Sequence, residues 1–316
     1  MRAVRESARR VVAQSRSVWV DEEALRTGAR LLAPHALTLS WDRYYHFFDG
    51  TARTVQYLFV LDSLNFCFWP EPRWRYRYEN EWLDGYLALA SSLKEAVSRD
   101  ATLLQAAVLA RMNEKRLREI LGGENEIPLL QERVAVLREA GAVLQEEYDG
   151  QAVHLVEEAR RSTERLVQLL VERFSSFRDE ALYRGERVCF YKRAQIFCAD
   201  LYGAFEGERW GEFTDIEGLT AFADYKLPQV LRHLGILHYS PELAQKIDRR
   251  EELAAGSEEE IEIRAHTIWA VERLREEVCK LGRSLRSFEI DWLLWNLGQR
   301  EEFRQKPYHR TRTIFY

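Results

Sequence analysis

A mainly α-helical fold is predicted by three observations. Only seven prolines and sixteen glycines occur in 316 residues, which leaves room for long helices. Apolar residues recur three or four positions apart over much of the chain, as in Leu155, Ala159, Leu166, Leu169 and Leu170. Helix-start signals precede such runs, most plainly in Ser257-Glu-Glu-Glu260, a capping serine with an acidic first turn. One α-rich domain over residues 1–316 is expected, in an arrangement compatible with two lobes around a central cleft.

The elements follow in order. Met1-Arg-Ala-Val-Arg-Glu-Ser7 leads into an amphipathic segment and lacks the apolar core of a signal peptide. Residues 55–70 form an apolar run interrupted by Asp62 and Asn65; if helical, Asp62, Asn65 and Trp69 share one face. In Arg73-Trp-Arg-Tyr-Arg-Tyr78 the aromatics fall on one face and the arginines on the other, the pattern of a short half-buried strand. Gly122-Gly123 and the loop to Pro128 interrupt the helical pattern. Residues 129–148, 151–174, 189–205, 257–281 and 287–303 read as helices. Pro228 reads as the first residue of a two-turn helix that Gly235 stops. The C-terminal stretch 308–316 is β-branched and aromatic and reads as a docked strand.

Composition narrows the function. With 46% hydrophobic residues the chain can bury a sizeable core. Its net charge of −5, with both signs mixed, argues against the concentrated basic surface that a general grip on nucleic acid needs. Cys67, Cys189, Cys198 and Cys279 form no CxxC pair and no zinc spacing; three lie in apolar segments and read as buried thiols, which fits a reducing cytoplasm. No stretch is long and apolar enough to span a bilayer. Walker, dinucleotide-binding, HExxH and GxSxG motifs are absent, and the seven histidines show no metal-ligand spacing. No metal and no cofactor are expected, and a monomer acting on a small molecule is.

What remains are polar groups in aromatic surroundings. Asp224 precedes a helix start, where backbone N–H groups and the helix dipole favour an anion, and Phe222 and Tyr225 flank it. Taken alone, Asp224 is more plainly a helix cap. Asp62 and Asn65 must be satisfied if buried, by each other, by backbone or by a ligand. Asp291 lies beside Trp292 and one turn before Trp295, a grouping that suits a flat heterocycle: indoles stack on the ring and a carboxylate accepts from its N–H edge. The plainer reading is a core helix with one paired acid. Lys192 and Arg193 open the helix after Arg187, as a solvated face or a phosphate clamp.

Together these segments resemble the queuosine salvage protein family. The resemblance is carried by Leu61-Asp-Ser-Leu-Asn-Phe-Cys-Phe-Trp69, Val188-Cys-Phe-Tyr-Lys-Arg-Ala-Gln195, Phe222-Ala-Asp-Tyr-Lys-Leu-Pro-Gln229, Glu262-Ile-Arg264, Asp291-Trp-Leu-Leu-Trp295 and His309 with Arg312. Six short motifs in order over some three hundred residues are specific where any one is not. The resemblance implies hydrolysis of queuosine 5′-phosphate to release queuine, on a helical fold similar to the helix-hairpin-helix DNA glycosylases. The glycine-rich hairpin that grips a DNA phosphate in those enzymes is absent, and Tyr225-Lys-Leu-Pro228 stands in the comparable place. A free nucleotide is therefore expected over a duplex.

Cleaving an N-glycoside builds positive charge on the sugar, so the expected catalytic residue is Asp224, as electrostatic stabiliser or as nucleophile. The resemblance places His46 and Phe222 against the base and Phe288, Glu289 and Asp291 along its edge, with Trp292, Trp295, Asp62 and Asn65 completing the base site. Glu289 or Asp291 would bond the guanine-like edge or the cationic amine of queuine. Lys192, Lys226, His309 and Arg312 are the expected phosphate or ribose ligands. Queuine is a 7-deazaguanine without an N7 lone pair, so help to the leaving group must act elsewhere on the base. Two alternatives stand beside this reading: a glycosylase of tRNA or DNA, which the missing basic surface disfavours, and a non-catalytic protein that holds a modified base, which turnover of free nucleotide would exclude.

Overall fold

The computed structural model describes residues 1–34 and 41–316. Fourteen α-helices and six short strands are present among them, so the fold is mainly α as predicted. In chain order they begin with α1 (Arg2–Gln14), β1 (Val18–Val20), α2 (Glu22–Leu32), α3 (Ala52–Ser63), β2 (Arg75–Tyr78), β3 (Glu81–Asp84), α4 (Gly85–Arg99), α5 (Ala106–Leu109) and α6 (Glu114–Leu121). They continue with α7 (Leu130–Glu147), α8 (Ala152–Glu158), α9 (Thr163–Arg173), β4 (Glu180–Tyr183), β5 (Glu186–Cys189) and α10 (Lys192–Ala204). The last are α11 (Lys226–His233), β6 (Leu237–Tyr239), α12 (Pro241–Asp248), α13 (Glu258–Lys280) and α14 (Ser287–Leu297). The strands form three antiparallel pairs: β1 with β6, β2 with β3, and β4 with β5.

Several boundaries follow from local chemistry. Ser257 caps α13 through a bond from the Glu260 N–H, as its sequence predicts. The 151–174 stretch is two helices rather than one, because Arg160 and Arg161 both take left-handed backbone angles and Ser162 caps a new start. The helix expected from residue 189 begins at Lys192, since Glu186–Cys189 pairs as a strand. That expected over 287–303 ends at Leu297 and is followed by a single 3-10 turn, Glu301–Arg304.

Two expectations are corrected more deeply. α11 begins at Lys226, so Pro228 is its third residue and not its first; Gly235, at φ +71°, does mark the stop. The C-terminal stretch docks but forms no strand. Its one ladder contact is a bridge between Arg310 and Glu252, while the Cys67 N–H donates to the Tyr316 carbonyl and the Tyr316 side chain is buried. The segment is held there by that bridge and by the burial of its last side chain, and β propensity alone does not make a strand. The 73–78 segment forms the expected strand from Arg75, with Trp74 and Tyr78 buried and Arg75 and Arg77 exposed.

Hydrophobic side chains gather into two large cores. One joins α1 with α3 through α10; the other joins α2 with α11 through α14. A small third cluster of Phe66, Cys67, Trp69, Val136, Tyr225 and Tyr316 sits apart from both. A cavity of about 280 Å³ draws its walls from all three.

Candidate functional site

Two irregular segments carry the cavity's most polar wall, and buried arginines hold both in place. The 63–67 stretch leaves α3 with its carbonyls facing inward. Arg133 donates to the carbonyls of Leu64 and Phe66, and Arg193 to those of Ser63 and Ser176. Both guanidinium groups lie against the Phe66 ring, at 4.2 and 5.1 Å. Backbone acceptors without regular partners are satisfied in this way, which makes an irregular buried turn tolerable.

The second segment is 220–225. Gln195 accepts from the Thr220 N–H at 2.9 Å, Asp291 from the Phe222 N–H at 2.7 Å, and Arg264 donates to the Ala223 carbonyl at 3.0 Å. Arg264 is itself sandwiched between Phe190 and Tyr316 and paired with Asp179 at 2.6 Å and Glu260 at 3.5 Å. Four of the six motifs read in the sequence thus meet on one turn, and their shared physical task is to fix Asp224. Glu262, by contrast, serves the periphery: it accepts from the N–H groups of Arg16 and Ser17 and from the Tyr183 hydroxyl.

Asp224 is 9% exposed and lines the cavity. Its Oδ1 accepts from the N–H groups of Lys226 at 2.7 Å and Leu227 at 3.1 Å. It is therefore both a cap on α11 and a cavity carboxylate, and the two readings do not compete. The capping bonds hold Oδ1, and the carboxyl stands on the cavity wall.

The structure brings His46, Asn65, Lys192, Phe222, Asp224, Lys226, Asp291, Trp292 and Trp295 together around this cavity. Lys192 is buried and donates to the Asn65 carbonyl at 3.1 Å; burial lowers it to about 8, although Asp224 pulls the other way. Burial and neighbouring cations bring Lys226 to about 8 as well. Burial pushes the Asp291 carboxyl well above the usual range against the opposing Phe222 N–H bond.

Five of the expected site residues are not in the cavity wall. Asp62 stays inside α3 while Asn65 and Trp69 lie beyond its end at Ser63, so the three share no helical face. The Asp62 carboxyl is fully buried, finds no partner among the described residues, and is pushed well above the carboxylate range by burial. Phe288 is core, edge-on to Tyr202 and Trp292. Glu289 turns back to the Arg286 N–H at 2.7 Å and pairs with its guanidinium. His309 is buried behind Tyr316, 3.3 Å from its hydroxyl. Arg312 is half exposed, paired with Glu252 at 3.1 Å and stacked over Trp69.

Other cavity residues escaped the sequence reading, among them Tyr45, Arg73, Tyr86, Asp200 and Tyr308. Asp200 had a legible signal: Lys192, Ile196 and Asp200 are four apart on α10, and an acid inside the apolar run Phe197-Cys-Ala-Asp-Leu201 needs a reason. Tyr86 had none, since its neighbours come from distant elements. Arg73, read as part of a solvent face, instead bonds Asp84 at 2.8 Å and the Tyr308 hydroxyl at 3.0 Å on the cavity rim. A smaller basic hollow of about 130 Å³ adjoins it, sharing Arg73, Lys226 and Tyr308 and adding Arg250, Arg304 and Arg310. Among the described residues no group of three or more His, Cys, Asp or Glu side chains is arranged to hold a metal ion.

This geometry can hold a flat polar ring between aromatic walls, with a fixed carboxylate at one side and basic groups at the rim. Comparison with known proteins bears on what that ring is. Residues 45–316 match the family model described as queuosine salvage protein. A queuosine 5′-phosphate N-glycosylase/hydrolase of Sphaerobacter thermophilus is 50% identical over 311 residues, 98% of this chain and 96% of that protein. A protein of the same description from Mus musculus is 38% identical over 99% of this chain and 98% of its own length. One from Schizosaccharomyces pombe is 32% identical over 81% of this chain and 77% of its own. The chain belongs to the queuosine salvage protein family.

Proposed function

We propose that the protein hydrolyses the N-glycosidic bond of queuosine 5′-phosphate and releases queuine for salvage. The observation that carries this reading is the convergence of the motif segments that hold Gln195, Arg264 and Asp291 on the turn that bears Asp224, within one aromatic cavity that Asn65 and Lys192 also line. The whole-length similarity to proteins named for this reaction supports it. As the bond breaks, the sugar gains positive charge, and Asp224 stabilises it as an anion or as a transient nucleophile. His46, Phe222, Trp292 and Trp295 embrace the base, and Asp291 faces its polar edge. Lys226 and Arg73 take the 5′-phosphate at the rim, in place of His309 and Arg312, which stand outside the cavity.

The site is that of a small-molecule enzyme in one catalytic domain. The test is a product assay with purified protein and no added metal, run side by side on queuosine and its 5′-phosphate. Queuine release, faster from the nucleotide, is the expected result. Release from intact tRNA but not from the free nucleotide would replace this reading with a nucleic-acid glycosylase.

A further inference from the structure

A chain of hydrogen bonds runs along the cavity wall formed by the 41–46 segment, α4 and α10. His46 Nδ1 lies 2.6 Å from the Asp42 carbonyl, and His46 Nε2 lies 2.8 Å from the Tyr86 hydroxyl. The same hydroxyl lies 3.1 Å from Asp200 Oδ2. A carbonyl can only accept, so Nδ1 carries a proton. Tyr86 then has a single proton and two neighbours. One neighbour must bring the second proton, either His46 as imidazolium or Asp200 as carboxylic acid. His46 is 5% exposed, and burial outweighs the opposing influence of Asp42, so the imidazolium is the disfavoured choice. The proton belongs on Asp200.

Around Asp200 the influences divide: burial favours the acid, while the Tyr86 hydroxyl, the Trp41 indole and Lys192 favour the carboxylate, and burial is the largest of them. Asp62 and Tyr57 face it from α3, Tyr86 from α4 and Lys192 from its own helix. Lys192 is the one cation among them, and its ammonium donates to the Asn65 carbonyl at 3.1 Å. Burial raises Asp200 to about 7 and lowers His46 to about 4, the order the proton count requires.

We propose that Asp200 enters the reaction as the un-ionised acid and supplies the proton that the departing base takes up, with Tyr86 and His46 holding that proton in place beforehand. This rests on the glycosidase reading above. The C–N bond breaks with its electron pair staying on the base. The Asp200 O–H proton passes to the base and leaves Asp200 as a carboxylate. A water molecule adds its hydroxyl to the sugar carbon, and its remaining proton restores Asp200. Bonds broken and formed balance, and no other reactant is needed. A 7-deaza base lacks the usual purine protonation site, so an acid reaching another edge is the help this leaving group can use.

The test uses wild-type protein with Asp200→Asn, which keeps the shape and can still donate to the Tyr86 oxygen. In wild type, kcat for queuosine 5′-phosphate falls as pH rises through about 7, because the acid form is lost. In Asp200→Asn that limb disappears and kcat at pH 6 drops by about a hundredfold or more, while KM stays within about threefold. Infrared difference spectra at pH 6 show a protonated carboxyl present in wild type and missing from the variant. Tyr86→Phe, which removes a donor to the ionised form, moves the limb to higher pH. Unchanged kcat in Asp200→Asn, a limb that ignores Tyr86→Phe, or a resting carboxylate at Asp200 each overturns the proposal. Wild-type protein that releases no queuine would instead overturn the reading beneath it.

Discussion

Asp224 and Asp200 stand on the wall of one cavity, and their surroundings ask opposite things of them. Asp224 meets two backbone N–H groups at the start of α11, the larger share of charge influence on Lys192, and a turn clamped by Gln195, Arg264 and Asp291. Asp200 meets a tyrosine hydroxyl already claimed by a histidine, and a second carboxyl, Asp62, that finds no partner among the described residues. One end of the cavity supplies backbone donors, as an anion needs; at the other, burial dominates and favours a neutral acid. Residue type does not set the role. The donors within reach do.

The largest test of this contrast removes the charge at the first end. Asp224→Asn keeps the shape and should lower kcat on queuosine 5′-phosphate by at least about a hundredfold, with the circular dichroism spectrum and melting temperature little changed. Near-normal turnover in a folded variant would reduce Asp224 to a helix cap.

Lys226 sharpens where the phosphate lies. Replacing it by Ala should cost about ten- to a hundredfold in kcat/KM on the nucleotide and far less on the unphosphorylated nucleoside, as expected for a charge-assisted bond. Equal losses on both substrates would move the phosphate away from the basic rim.

Behind Asp200, outside the cavity wall, Asp62→Asn should behave unlike Asp224→Asn. The folded-state carboxyl of Asp62 is raised well above 3.8, so wild type loses stability as pH climbs above the unfolded value, and Asn removes that loss. The variant should melt about 2–4 °C above wild type at pH 8 and level with it at pH 3.5. A variant that melts lower at pH 8 would mean that Asp62 is ionised and paired in solution.

The smallest effect is expected at Arg312, the residue that the family resemblance had set beside the phosphate. Its ion pair with Glu252 is half exposed and lies outside the cavity. Arg312→Ala should change kcat/KM by less than about twofold on either substrate. A loss confined to the nucleotide would show that the C-terminal segment reaches the phosphate after all.

The fold class was legible from helical periodicity, and so were Ser257 as a cap, the strand at Arg75–Tyr78 and Gly235 as a stop. Each depends on neighbours within a few residues. The break at Arg160–Arg161 was hidden, because no glycine or proline marks it. The C-terminal segment had the right residues for a strand and makes only one bridge, to Glu252. In the site, Asp224, Asp291 and Lys192 were visible as polar groups in apolar or aromatic company. Tyr86 was invisible, since what makes it matter are two residues 40 positions before it and 114 after it.

The mainly helical fold class and the family followed from the chain alone, because patterning and motif order are properties of the chain. Which acids face the cavity came from the packing of distant elements. Phe288 and Glu289 sit three and two residues before Asp291, yet Phe288 points into the core and Glu289 back onto Arg286. His309 and Arg312 are three apart, yet one is buried behind Tyr316 and the other is outside with Glu252. Position along a helix or loop fixes a side chain's direction relative to its own backbone. Whether that direction meets solvent, core or cavity depends on how the other elements pack around it, and burial and hydrogen-bond partners, the terms that set charge, come with that packing.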